Sequence, residues 1–321
     1  MLIKKENIIV TGGAGFIGSH LVELLLKHNY AVTIIDNFDS FYSKEIKQKN
    51  IASFILNPDV TFLEIDIVDS NALDENLKKE AYKAIIHLAA KAGVRPSINN
   101  PIAYYKTNVE GTQNLLEFAR RKNILQFIFS SSSSVYGIND NFPWKESDEL
   151  LKPISPYAST KLSCELLGHV YSHLYGIRFL SLRFFSVFGP RQRPDLAINL
   201  FSKKILKGEP IDFYGDGATK RDYTYVSDIV DGIYKALHYK QSLFEVFNLG
   251  NNKMVSLSEM VSTIEEVFET KAIVNYLPQQ PGDVAYTMAD ISKANEKLNY
   301  HPQTSFVAGL IMYKKWLEEK L

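Results

Sequence analysis

The chain carries one cysteine, Cys164, in 321 residues, so no intrachain disulfide can form and a reducing compartment is expected. It has no excess of either charge, 36 Lys and Arg balancing 36 Asp and Glu. That balance argues against a protein that grips nucleic acid through a basic surface. With 17 glycines and 12 prolines, it is neither collagen-like nor a low-complexity tail. No stretch approaches 18 uninterrupted apolar residues, so no membrane-spanning helix is expected. No signal-peptide run follows Met1, and a cytoplasmic location is expected. The seven histidines and the cysteine show no ligand spacing, so no metal site is expected. These exclusions leave a soluble chain long enough for one large or two medium domains.

Short β-branched runs alternate with amphipathic stretches through the first half. Ile8–Thr11, Ala31–Asp36, Val60–Leu63, Ala84–Leu88 and Phe127–Ser130 are nearly continuous apolar strands, as a sheet covered on both faces needs. Residues 17–27 and 105–121 carry helical spacing between them, which implies βαβ units and a parallel sheet. Phe179–Phe184 continues the pattern, and Glu245–Gly250 reads as a strand returning to the sheet. The expected fold is α/β: a Rossmann-type doubly wound parallel sheet with a smaller C-terminal α/β substrate domain. The boundaries drawn are 1–184 with 224–250 for the first domain, and 185–223 with 251–321 for the second.

Gly12-Gly13-Ala14-Gly15-Phe16-Ile17-Gly18 follows the first strand and opens the first helix. Such glycines let the backbone turn tightly and approach a pyrophosphate, which sits at the unpaired N–H groups of the helix N-terminus. Asp36 closes the second strand, where a carboxylate accepts from both ribose hydroxyls and repels a 2′-phosphate. NAD is therefore expected rather than NADP. Asp66 and Ile67, ending the third strand, are placed beside the adenine. Further on, Ser155 can cap and Pro156 can start a helix, which stacks Tyr157 and Lys161 at i and i+4 on one face. A cation beside a phenol favours phenolate, and bringing a Tyr from about 10 towards neutrality needs about 4 kcal/mol. Ser130-Ser131-Ser132 ends the strand that precedes this helix.

Together these stretches resemble the extended short-chain dehydrogenases/reductases, specifically the nucleotide-sugar epimerase/dehydratase family. Thr11–Gly18, His87–Ala90, Asn108, Ser132–Gly137, Tyr157–Lys161, Arg183–Pro190 and Arg221–Tyr223 match in order, across nearly the whole chain. The resemblance implies Tyr157 as base, Lys161 on the nicotinamide ribose, and Ser132 with Ser133 at the reacting sugar hydroxyl. It implies cofactor contacts from Gly12, Gly15, Phe16, Ile17, Gly18, Asp36, Asn37, Asp66 and Ile67. Leu88, Ala89, Ala90, Lys91, Asn108, Ser130 and Phe184 complete that set.

Family 4,6-dehydratases carry an Asp-Glu pair before Val-Tyr-Gly, and decarboxylases a Glu; this chain has Ser133-Ser134. Oxidation at C4 followed by return of the hydride, hence 4-epimerisation of a UDP-sugar, is the activity implied. Ser186 followed by Gly189-Pro190-Arg191-Gln192-Arg193-Pro194-Asp195-Leu196-Ala197 resembles the glucuronate epimerases, and Gly93-Val94-Arg95 points the same way. A glucuronate carboxylate left unpaired would cost several kcal/mol, and a guanidinium offers it a two-pronged clamp. Arg193 is the expected clamp, with Arg95, Ser132, Ser134 and Ser186 near the sugar. Such a clamp would also hold the carboxylate near the plane of the C4 carbonyl and suppress loss of carbon dioxide. Arg221 is expected at the diphosphate, Asn199, Leu200 and Phe213 in the uridine pocket, and Asp283 on the phosphate side. The family's second phosphate-side arginine, expected just before Gly282-Asp283, is missing. Thr287, small where some members are bulky, leaves room for an N-acetyl group, so UDP-glucose or UDP-N-acetylglucosamine 4-epimerase is the alternative. The family also implies a homodimer through residues 98–122 and 157–176.

Overall fold

The structure, a computed structural model, describes residues 5–78, 81–149, 151–278 and 284–319. The first half lays down β1 (Asn7–Thr11), β2 (Ala31–Ile35), β3 (Val60–Leu63), β4 (Ala84–His87), β5 (Gln126–Ser132) and β6 (Arg178–Phe184). The chain then leaves through β7 (Ser186–Phe188), β8 (Ile211–Tyr214) and β9 (Lys220–Tyr225) before returning as β10 (Phe244–Leu249). It ends with β11 (Met254–Ser256), β12 (Val274–Leu277) and the helix Phe306–Glu318. Seven strands make one sheet in the order β10-β6-β5-β4-β1-β2-β3, all neighbours parallel. β7, β9 and β11 form a three-stranded sheet, and β8 pairs with β12. All seven strands expected from the apolar runs are present, Glu245–Gly250 included, and the fold is Rossmann-type α/β.

The strand sequences are continuous in hydrophobicity because both faces are buried, and the two cores divide them residue by residue. Ile8 and Val10 enter one core while Ile9 enters the other. In β5 Ile128 opposes Phe127 and Phe129, and in β6 Leu180 and Leu182 oppose Phe179. A period of two with apolar residues at every position leaves no polar face, so each side must be covered by helices. Strand order reverses between β1 and β4, which opens a crevice at the C-terminal ends of those strands.

The longest helix, Pro156–Tyr175, starts as its sequence dictates: the Ser155 hydroxyl accepts from the Ala158 N–H at 3.1 Å, and Pro156 occupies the first turn. Gly168 lets it lie flat on the aromatic layer, since a Cβ there would stand 2.2 Å from the Phe179 ring. That ring is stacked on Phe127 at 5.4 Å and on Phe244 at 6.1 Å, so it has nowhere to retreat. Gly168→Ala is expected to destabilise the fold by about 1–3 kcal/mol through overpacking. Urea unfolding checks this: the midpoint should fall with the slope unchanged.

Candidate active site

A cavity of about 500 Å³ opens where the strand order reverses, and it spans from the glycine loop to Arg221 and Tyr223. Gly12 turns with φ +69°, and a Cβ there would lie 2.8 Å from the Ala89 nitrogen in the loop after β4. A Cβ on Gly18 would lie 2.1 Å from the Gly12 carbonyl oxygen. The glycines thus let the loop, the helix Phe16–Lys27 and the β4 loop close on one another. Gly15 caps that helix with no side chain, which leaves first-turn N–H groups for an anion. At the far side Asp36 is buried, accepting from the Ala14 and Phe38 N–H groups at 3.1 and 2.9 Å. Burial pushes its carboxyl above the ordinary value, and the Lys47 charge opposes that rise. Asp66 accepts from the Asn37 amide at 3.0 Å, and both line the cavity with Ile67. Two carboxylate acceptor sites remain on Asp36 after its backbone bonds. The cradle, the helix N-terminus and this acid together fit a dinucleotide.

Leu88, Ala89, Ala90, Lys91, Ser130, Ser132, Tyr157, Lys161 and Phe184 line the same cavity. The Lys161 ammonium donates to the Ser130 carbonyl at 2.6 Å and lies 4.8 Å over the Phe129 ring. Desolvation lowers it to about 8, against the nearby Cys164 and Glu165, which raise it. Burial holds the Tyr157 phenol above its ordinary value, offset by a hydrogen bond with Ser132 and by the charge of Arg193. Arg193 lines the cavity together with Tyr157, while the Lys161 ammonium is held on the Ser130 carbonyl. The Ser132 hydroxyl donates to the Ser134 hydroxyl at 3.1 Å. Ser133 lies outside this cavity and lines a smaller one of about 160 Å³ with Ser134, Ser186, Arg221 and Thr287.

Asn108 does not line the cavity but builds its wall. It sits in a π-helical turn, Tyr105–Glu110, inside a stretch that reads as continuous α-helix. From there its amide accepts from the Lys91 N–H at 2.8 Å, donates to the Lys91 carbonyl at 3.0 Å and donates to Thr160 at 3.0 Å. His87 is also structural: it bonds Thr11 at 2.7 Å and Thr112 at 3.0 Å, and burial lowers it to about 3.

Ser186, Arg193 and Arg221 reach the cavity with Ser132; the other expected sugar-side residues do not line it. Arg95 is exposed and lies 5.6 Å over the Tyr214 ring. Asn199 is buried, its amide donating to the Gln192 carbonyl at 2.8 Å, and Leu200 faces outward at 41% exposure. Phe213 is buried against Tyr276 with ring centroids 5.4 Å apart. Asp283 lies outside the described residues. Arg191, two residues before Arg193, is taken by Glu23 at 2.7 Å.

Several cavity residues escaped the sequence reading. Tyr42 and Lys47 line the cofactor end, and the Lys47 ammonium donates to the Asp39 carbonyl at 2.8 Å. Nothing in the composition marks them: Tyr42 precedes, and Lys47 lies within, the short polar helix Lys44–Ile51. Glu165 did carry a signal, since it extends the i, i+4 stripe of Tyr157 and Lys161 by one more turn. Its buried carboxylate accepts from Ser131 at 2.5 Å, from Ser181 at 3.0 Å, and from Arg183 at 3.0 and 2.7 Å.

A glycine cradle facing a serine, a tyrosine and a lysine across one crevice defines the short-chain dehydrogenase/reductase class. The model of the family described as GDP-mannose 4,6 dehydratase matches residues 9–312. The UDP-glucuronate 4-epimerase of Thermodesulfobacterium geofontis is 38% identical over 314 residues, 98% of this chain and 96% of that one. A crystal structure of UDP-glucuronic acid 4-epimerase from Bacillus cereus, in complex with UDP-glucuronic acid and NAD, superposes with a TM-score of 0.91 at 38% identity. It covers 98% of this chain and 100% of that one. UDP-N-acetylglucosamine 4-epimerase from Methanobrevibacter ruminantium gives a TM-score of 0.90 at 35% identity, covering 99% and 100%. The chain belongs to the extended, NAD-dependent nucleotide-sugar epimerase/dehydratase family.

The lowered Lys161 sets a pH expectation. If the reaction uses the Lys161 ammonium, that charge is lost as pH rises through about 8, and activity should fall on that alkaline limb. Glu165 is one of the groups that raise it, and Glu165→Gln is expected to move the limb to lower pH. Leaving Arg183 buried without its partner should also cost about 3–5 kcal/mol of stability. A kcat–pH profile and a melting curve of the same variant read the two effects separately.

Proposed function

We propose that this enzyme is a UDP-sugar 4-epimerase whose substrate pair is UDP-glucuronate and UDP-galacturonate. The observation that carries the reading is a guanidinium, Arg193, in the cavity beside Tyr157, with no acid at Ser132, Ser133 or Ser134. Bound along the glycine loop and Asp36, NAD would supply reversible hydride acceptance at the sugar C4. Tyr157 receives the 4-hydroxyl proton through Ser132, which lines the cavity with it. Lys161, fixed on the Ser130 carbonyl, holds the cofactor ribose. Arg193 clamps the C6 carboxylate, and Ser134 and Ser186 border the same sugar. Arg221, shared by both cavities, anchors the diphosphate, so the 4-keto ring can turn while UDP stays held. Binding energy placed on the remote UDP leaves the reacting ring free to rotate. In this reading residues 1–184 with 224–250 bind the cofactor, and 185–223 with 251–321 the UDP half.

A second reading, the N-acetylhexosamine epimerase, draws on Thr287. This small residue lines the 160 Å³ side cavity, next to Ser134 and Ser186. Incubating the protein with UDP-glucuronate, no NAD added, and following anomeric protons by NMR separates the readings. UDP-galacturonate is the expected product. Turnover of UDP-N-acetylglucosamine alone would move the assignment to the second reading, and UDP-pentose would mean that the clamp does not restrain the carboxylate.

The family's dimer is proposed as well. Leu166, Val170 and Leu174 form an exposed i, i+4, i+8 stripe on the helix Pro156–Tyr175, at 64, 45 and 60% exposure. Ile98, Ile102 and Tyr105 are exposed on the neighbouring helices. Apolar rows of this size on adjacent helices are unusual on a monomer. Leu166→Glu with Leu174→Glu is expected to convert a dimer to a monomer in light scattering; a parent that is already monomeric refutes the interface.

A further inference from the structure

Arg193 does not wait empty for a ligand. Its Nε and Nη2 donate to the two oxygens of Asp195 at 3.0 and 2.8 Å, the parallel two-pronged contact a bound carboxylate would take. The guanidinium lies 5.4 Å over the Phe41 ring and lines the cavity with Tyr157. Asp195 is not part of that lining. The two partners are unequal: the side chain of Arg193 is 20% exposed and that of Asp195 is 41%. Asp195 can therefore swing back into water at small cost, whereas Arg193 left alone would be a poorly solvated charge.

We propose that Asp195 determines specificity as a resident substitute for the substrate's carboxylate: it occupies the fork of Arg193 until an acidic sugar replaces it. The inference rests on the reading of Arg193 as the sugar-carboxylate contact. An acidic sugar exchanges one carboxylate for another, so the guanidinium is never unpaired. A neutral sugar brings nothing to exchange and leaves the pair closed. Pro194 between the two residues fixes one backbone dihedral, which keeps Asp195 within reach of the same guanidinium when the ligand departs.

The test is calorimetric titration of the NAD-loaded protein in a Tyr157→Phe background, where chemistry does not confuse binding. UDP-glucuronate and UDP-glucose are each titrated into that protein and into its Asp195→Asn and Arg193→Gln forms. An exposed pair of this kind holds its partner by a factor of about two to five. Asp195→Asn should tighten UDP-glucuronate by that factor and leave UDP-glucose unchanged. Equal tightening of both would be the general effect of removing a negative charge near UDP, and it overturns the proposal. So does unchanged or weaker UDP-glucuronate binding in Asp195→Asn while Arg193→Gln weakens it, because Asp195 would then only orient the arginine. If Arg193→Gln leaves UDP-glucuronate binding intact, the carboxylate reading of Arg193 fails first, and the role of Asp195 falls with it.

Discussion

The buried carboxylate of Glu165 is the contact on which the active site is hung. One side chain ties the helix Pro156–Tyr175 to β5 through Ser131 and to β6 through Ser181 and Arg183. Ser131 lies between Ser130, whose carbonyl receives Lys161, and Ser132, whose hydroxyl meets Tyr157. The helix carries Lys161 and Tyr157 one and two turns earlier on the same stripe. A shift of this helix along the sheet would therefore break the Lys161 bond and the Ser132 contact together. Buried ion pairs are not automatically stabilising, because desolvation offsets most of their attraction. The gain here is positional: four donors converge on one acceptor, and few other arrangements of helix and strands satisfy them all. Arg183 is further fixed by the Tyr136 ring, 4.7 Å away.

The parts of the fold that could be read from the chain are those where local and global demands agree. Ile8, Ile9 and Val10 must be buried on alternating sides whatever follows them, so their run announces a strand between two helical layers. Ser155-Pro156 announces a helix start because the hydroxyl and the ring each suit only that position. Gly12 and Gly18 are legible for the same reason, since a Cβ at either would strike backbone. Other features depend on partners distant in sequence. The π-turn at Asn108 exists because its amide must reach both Lys91 and Thr160, and no periodicity in 105–121 signals that. Phe213, Asn199 and Arg95 were placed by motif position alone, and in this structure their side chains are spent on Tyr276, Gln192 and Tyr214.

The cofactor and sugar ends of the cavity are built on different physical terms. At the cofactor end the contacts are glycine backbone, a helix terminus and a buried acid held by two backbone N–H groups, none of which can reorganise cheaply. At the sugar end the groups are hydroxyls of Ser132 and Ser186, whose protons rotate, and a guanidinium on a long side chain. A reaction that presents first one and then the other face of a ring to the same hydride position requires this contrast. Rigid recognition of the turning sugar would favour one epimer and slow its exchange for the other.

Arg193 joins the two ends, because the same charge that meets a carboxylate also acts on the Tyr157 phenol. An unpaired guanidinium would pull the phenol down when the site is empty, and a bound acidic sugar would cancel that pull at the moment proton transfer is needed. With Asp195 on the fork beforehand, the cation is already matched by one carboxylate. Under the proposed exchange, a substrate carboxylate on the fork would leave the charge count around the phenol unchanged. The tyrosine would then meet nearly the same field before and after the sugar binds, its proton affinity set by burial and Ser132.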